Sequence, residues 1–200
     1  MATNLALQLQ VIEPDTDLNS IMIGNSKYSD DVWDLRAFIT AKSTKESQKY
    51  IRFEYISDAD MKGTVKQYAY YKLGKTKPQT VRNYINGYLP MFIEYCSISG
   101  IHSFEDVTLE DYLNFNLWIK DEKKVALQTG FMLCHVVEEI IRIGQIKGWN
   151  VSQFHLPKTE TANQLWNRKK SMKTNKTKPI PEDVFDKILY HAVHDEKDIL

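Results

Sequence analysis

The sequence lacks most of the features that classify a protein at a glance. Its 200 residues hold two cysteines, Cys96 and Cys134. They are too far apart in sequence for metal-ligand spacing and read as core thiols in a reducing cytoplasm. No apolar stretch approaches the roughly 20 residues needed to span a bilayer, so no membrane contact is expected. The start, MATNLALQLQ, has no basic segment, and Gln8 and Gln10 interrupt its apolar side, unlike a signal peptide. Glycine-rich phosphate loops, a GxSxG elbow and an HExxH helix are all missing. His191 and His194, with Asp195 and Glu196 beside them, are the nearest approach to a metal site, and their spacing is common by chance. Glu138 and Glu139 are sequence neighbours on an expected helix, as are Cys134 and His135. Such neighbours are turned about 100° apart, so neither pair is an acid/base or nucleophile/base couple. No catalytic residue, cofactor or metal is assigned.

What is present is ordinary globular usage, with 42% hydrophobic and 26% charged residues, which argues against wholesale disorder. Net charge is also missing, at +0, yet the charge is strongly sorted. Residues 61–93 carry six basic and no acidic side chains, and residues 94–122 carry one basic and seven acidic. Residues 158–178 carry seven basic and one acidic. Local field governs binding, whereas net charge governs solubility.

Periodicity organises the chain. Residues 13–31 are acidic and polar, with turn signals at Glu13-Pro14-Asp15 and Gly24-Asn25. Tyr50 to Ile56 alternates with the period of two expected of a strand. Residues 1–57 are therefore expected to form a small strand-containing element that packs on the rest of the chain. From Ser57 the period becomes helical. Asp58 or Asp60 is the expected cap of a first helix with Met61, Val65, Tyr68, Ala69 and Lys72 on one side and Gly74 as its stop. Thr76-Lys77-Pro78-Gln79 fits a capping box. The second helix comes next, with Val81, Tyr84, Ile85, Tyr88, Leu89, Phe92 and Cys96 as its stripe, a kink or restart at Pro90, and Gly100 as its end. Thr108 is the expected cap of a third helix. A fourth, from about Lys124 to Lys147, is expected to bury Leu127, Phe131, Cys134, Val137, Ile140 and Ile141. Trp149, Val151, Phe154 and Leu156 fold back before Pro157. Residues 158–178 have linker composition, and Pro179 to Asp183 opens a last amphipathic helix carrying Val184 and Phe185.

The basic segments suit phosphate contacts, with amide side chains available for base edges. At the start of the second helix these are Lys75, Lys77, Gln79, Thr80, Arg82 and Asn83, with Asn86 on the same polar side. At the start of the fourth they are Lys123, Lys124 and Gln128. Two helix N-termini facing one groove would make a compact docking surface for double-stranded DNA.

The stretch KTKPQTVRNYINGYLPMFIEYC resembles the second helix of the core-binding, SAM-like domain of phage-type tyrosine recombinases (integrases). IHSFEDVTLEDYLNFNLWI resembles that family's next segment, and LCHVVEEIIRIGQIKGWNVSQFHLP resembles its fourth helix and exit. KTKPIPEDVFDKILYHA resembles the basic linker and first helix of the catalytic domain. The resemblance implies a mainly α chain whose four-to-five-helix core-binding bundle spans residues 58–157. A basic linker (158–178) and the start of a truncated catalytic domain (179–200) come after it. The resemblance points to Lys77, Gln79, Thr80 and Asn83 in the major groove, with Lys123, Lys124 and Gln128 nearby, and places Arg168, Lys169 and Lys170 where the linker crosses the DNA. The family's catalytic Arg, Lys, His and Tyr are expected beyond Leu200, so strand exchange belongs to the longer parent. A fragment monomeric alone and a parent multimeric on DNA are expected, in the cytoplasmic setting that the two thiols indicate. The rival reading is a helical protein-interaction module, with solvated basic faces and a partner groove marked by Trp33, Tyr70 and Tyr71.

Overall fold

A computed structural model describes residues 20–39 and 44–166, together with Pro181, Val184, Phe185 and Lys187. The chain divides into two compact units, residues 1–168 and 169–200. The Glu13-Pro14-Asp15 turn lies outside the described residues.

The first unit is a helical bundle entered through two small hairpins. Strands β1 (Met22–Ile23) and β2 (Ser26–Lys27) pair antiparallel across the Gly24-Asn25 turn. Gly24 sits at φ +61°, and a Cβ there would stand 2.4 Å from the Asp34 carbonyl oxygen, so the turn requires glycine. Strands β3 (Val32–Asp34) and β4 (Tyr50–Arg52) pair with Trp33 opposite Ile51. The alternating run expected as one strand to Ile56 leaves the ladder after Arg52. The Ile56 N–H instead closes a turn on the Phe53 carbonyl.

Trp33, Ile51 and Phe53 are fully buried, with the Trp33 and Phe53 rings 4.7 Å apart. They belong to the same core as the helices. Residues 20–57 thus pack on the helices through one shared core, within the same compact unit.

Helix α1 (Ala59–Leu73) buries Met61, Val65, Tyr68, Ala69 and Leu73. Asp58 holds its N-cap position without a side-chain cap bond; its carboxylate meets His102 Nδ1 at 2.9 Å instead. Helix α2 (Pro78–Asn83) has proline in its first turn and Lys77 as N-cap. The expected capping box does not form, because the Thr76 hydroxyl donates backward to the Lys72 carbonyl at 2.9 Å and finishes α1.

The restart at Pro90 takes a definite form. A wide turn, Tyr84–Tyr88, separates α2 from helix α3 (Leu89–Ser99), with the Leu89 N–H reaching back five residues to the Tyr84 carbonyl. Proline has no N–H to continue the regular ladder, and its ring crowds the preceding turn. The N-terminal element fills the gap this leaves. The Tyr55 hydroxyl donates to the Ile85 carbonyl at 2.7 Å. Asn86 accepts from the Arg52 N–H and donates to the Tyr50 carbonyl. Asn86 is therefore engaged in structure, not available on a polar face.

Helix α4 (Leu109–Asp121) starts on the expected Thr108, in a complete capping box with Asp111. Helix α5 (Leu127–Lys147) buries Phe131, Cys134, Val136, Val137, Ile140 and Ile141. Leu127, expected in that stripe, is exposed, because it sits in the first turn before α5 enters the bundle at Gly130. After Gly148 the chain folds back as expected, with Val151 buried against Gly144.

Packing then continues past Pro157. A tight turn at Lys158–Glu160 leads to a short helix, α6 (Ala162–Leu165). Trp166 is buried at its end, and its indole N–H donates to Asn116 Oδ1 at 2.8 Å. Its ring fills the space beside Gly130, where a Cβ would lie 2.3 Å away. The linker expected from 158 is thus part of the bundle through Trp166. Ala162 and Trp166 are two anchors within an otherwise polar stretch. In the second unit, the Val184 and Phe185 N–H groups both bond the Pro181 carbonyl at 3.0 Å; apart from Lys187, the rest of the expected last helix lies outside the described residues.

Candidate nucleic-acid interface

Helix α5 packs on α3 and on the wide turn Tyr84–Tyr88 before it, running in the opposite sense. Lys123, just before α5, reaches Glu94 at the middle of α3 at 2.8 Å. At the other end of α5, Lys147 shares the Tyr71 ring with Lys75, just before α2. The two expected contact clusters therefore stand at opposite ends of a 21-residue helix, about 30 Å apart at 1.5 Å per residue. The N-termini of the second and fourth helices do not form one docking surface.

Lys75, Lys77 and Asn83 are exposed, and Gln79, Thr80 and Arg82 are half-buried. Gln79 Nε2 and Arg82 Nη1 both donate to Asn83 Oδ1, at 3.4 and 3.3 Å, which joins three of the expected side chains across one turn of α2. Among the described residues no carboxylate lies within ion-pair reach of Lys75, Lys77 or Arg82.

The start of α5 differs. Lys123 is held by Glu94 and lies 4.6 Å from the centre of the Trp118 ring. Lys124 is exposed at φ +50°, outside the helix, and Gln128 is exposed in the first turn. Arg168, Lys169 and Lys170 lie outside the described residues.

Tyr71 gathers charge at the far end. Lys75 Nζ lies 5.4 Å and Lys147 Nζ 5.6 Å from its ring centre, and the edge of Trp149 packs on it. The cleft beside it, about 180 Å³, is also lined by Lys72, Glu139, Arg142 and Ile146. Its floor is a buried ion pair. Lys72 Nζ meets Glu139 at 2.8 Å, with the side chains 10% and 12% exposed, and the Tyr68 hydroxyl donates to the same carboxylate at 2.6 Å. Burial by itself would raise the Glu139 carboxyl, but the hydrogen bonds from Lys72 and Tyr68 outweigh it and hold it below its ordinary value.

Its sequence neighbour points elsewhere, as helix geometry requires. Glu138 accepts from the Tyr112 hydroxyl at 2.6 Å and from the Ala162 N–H, and burial raises its carboxyl. Glu138 lines a second cavity of about 360 Å³ with His135, Arg142, Gln145 and His155. Cys134 faces the core, donating to Asn116 Oδ1, while His135 stacks on Phe131; the thiol and imidazole do not form a pair. Burial pushes the Cys96 thiol up to about 12.

No group of three potential metal ligands occurs among the described residues; His191, His194, Asp195 and Glu196 fall outside them. No helix among the described residues is long and apolar enough to cross a membrane. Trp33 and Tyr70 are core residues and mark no partner groove, and Tyr71 is half-buried beneath two cations.

Sequence reasoning missed Arg142 and Lys147. The signal was present: both fall off the apolar stripe of α5, and no acid follows Glu139 in that helix.

Comparison with known protein families, with curated proteins and with solved structures gave no match.

Proposed function

We propose that this chain is the DNA-binding portion of a tyrosine site-specific recombinase of the phage-integrase type, with the bundle as its core-binding domain. One observation carries the DNA-binding reading. Lys75 and Lys77 are exposed beside Asn83 on a stretch without a single acid, and among the described residues no carboxylate neutralises them. Cations left free at a helix entrance suit phosphates, and an exposed amide at the far end of the same short helix suits a base edge. The order of helical segments, with its resemblance to the integrase family, supplies the narrower recombinase reading. No strand-cleaving residue is assigned to this chain, so its role is to clamp duplex DNA at recombination sites.

Fluorescence anisotropy with a 30-base-pair duplex, titrated across salt, tests the reading. The expected result is binding that weakens steeply with salt, by about 0.9 log units per phosphate contacted. Lys77→Ala is expected to weaken binding alike on all sequences, and Asn83→Ala to relax sequence preference. No binding at low salt would overturn the reading.

A further inference from the structure

We infer that the cleft beside Tyr71 holds a single phosphate group of the DNA backbone, gripped by Lys75 from the connection before α2 and by Arg142 and Lys147 from the last two turns of α5. The inference rests on the DNA-binding reading and deepens it. It adds two residues from a different helix, and it moves the contact from the start of α5 to its end.

Charge is the first support. Lys72, Lys75, Arg142 and Lys147 line the cleft against one carboxylate, Glu139. Lys72 and Glu139 neutralise each other in the floor. Arg142 also borders the neighbouring cavity and favours the ionised form of Glu138. Glu138 itself is already bonded by Tyr112 and Ala162. Lys75 and Lys147 have no carboxylate within ion-pair reach among the described residues.

Preorganisation is the second. Two ammonium groups are brought to one aromatic ring, each attracted by its π face. Like charges so placed repel one another, and an anion between them relieves that repulsion. The C-terminal end of a helix disfavours an anion through its dipole, so binding here depends on side-chain cations and not on backbone amides.

Size and shape choose the ligand. At about 180 Å³ the cleft is smaller than the roughly 300 Å³ at which small-molecule pockets begin. It suits one tetrahedral oxyanion whose remaining ligand lies outside, as in a polymer backbone. Ile146, 71% exposed, forms an apolar lip beside the cations against which a deoxyribose can rest. Lys75 connects the cleft to Lys77 and Asn83 on α2, so a strand leaving it runs onto the face proposed above.

The test compares the full chain with the triple variant Lys75→Ala, Arg142→Ala, Lys147→Ala by anisotropy across salt, with helical content checked by circular dichroism. All three side chains are exposed. Should the triple variant lose helical signal, Lys147→Glu replaces it. The expected result is a salt slope shallower by about 0.9, as for one lost phosphate, with equal weakening on unrelated duplexes.

A fall of about 2.7, three times the single-contact value, would mean three separate phosphates and overturn the single-phosphate cleft. An unchanged slope, with the wild type still binding, would overturn the cleft and leave the DNA reading standing. If the wild type binds no DNA, the DNA reading fails. Inorganic phosphate, followed by the amide NMR shifts of Tyr71 and Lys147, then decides the cleft. Saturable shifts absent from the triple variant would retain it as an anion site, and no shifts would overturn it.

Discussion

The two ends of α5 carry cations of similar number and different meaning. At the start, Lys123 is tied to Glu94 and rests against Trp118. A few residues on, Gly130 gives up its side chain so that Trp166 can enter the core. That end holds the fold together. At the far end, Lys75 and Lys147 converge on Tyr71 with no carboxylate to neutralise them among the described residues, above a floor where Lys72 and Glu139 have already cancelled. A lysine in a basic stretch is thus structural, neutralised or available according to what stands opposite it.

The largest expected effect tests the structural end. Trp166→Ala removes a buried ring and leaves Asn116 Oδ1 without its indole donor. The expected loss is about 3–5 kcal/mol, as for other large aromatic truncations in cores, read from the urea midpoint of the full chain. A change below about 0.5 kcal/mol, the level of ordinary surface substitutions, would mean that the segment through Trp166 is not part of the bundle and would dissolve the contrast.

The next prediction sets two sides of the same helix against each other through pH. The Glu138 carboxyl is raised above its ordinary 4.5 by burial. Its folded form therefore prefers the proton, and it lowers stability as pH rises from 4.5 through the folded value. Glu139 is held below 4.5 in the folded state. Its contribution is complete above 4.5 and disappears as pH falls through the folded value. Glu138→Gln is thus expected to gain stability at neutral pH, a gain that vanishes below 4.5. Glu139→Gln leaves Lys72 buried without its counter-charge and is expected to cost about 3 kcal/mol at neutral pH, a cost that shrinks in acid. Parallel denaturation curves between pH 3 and 8 for the two variants would refute the separation of the two sides.

The smallest effect sharpens the comparison of the two ends. Lys123→Ala breaks a partly exposed pair, worth under about 1 kcal/mol. It is expected to leave duplex affinity within a factor of about two, well short of the tenfold that 1.4 kcal/mol represents. An affinity loss equal to that of Lys77→Ala, measured on the same duplex, would return the start of α5 to the interface.

Much of the bundle was legible from residues close in sequence. Val81, Ile85, Leu89, Phe92 and Cys96 recur at helical spacing, and all are buried. Thr108 and Asp111 form the cap that their spacing announced, and Pro90 interrupted its helix as its chemistry demands. The site was less legible. Thr76 had two acceptable bonds, forward to a cap or backward to Lys72, and local pattern does not choose between them. Trp166 sits in a basic, polar stretch whose composition says linker, and only the niche at Gly130 shows why an indole belongs there.

By itself the sequence determined where most helices of the bundle start and stop, the break at Pro90, most of their apolar sides, and that cations and acids are sorted into separate blocks. These features arise from contacts three or four residues apart and from the fixed chemistry of proline, glycine and capping side chains. Only the tertiary structure decided which charges are spent. Lys72 meets Glu139 across 67 residues of sequence, Lys123 meets Glu94 across 29, and Lys75 and Lys147 meet over one ring. The antiparallel run of α5 against the Tyr84–Tyr88 turn and α3 brings distant residues to the same end of the bundle, and a short-range pattern carries no information about that pairing.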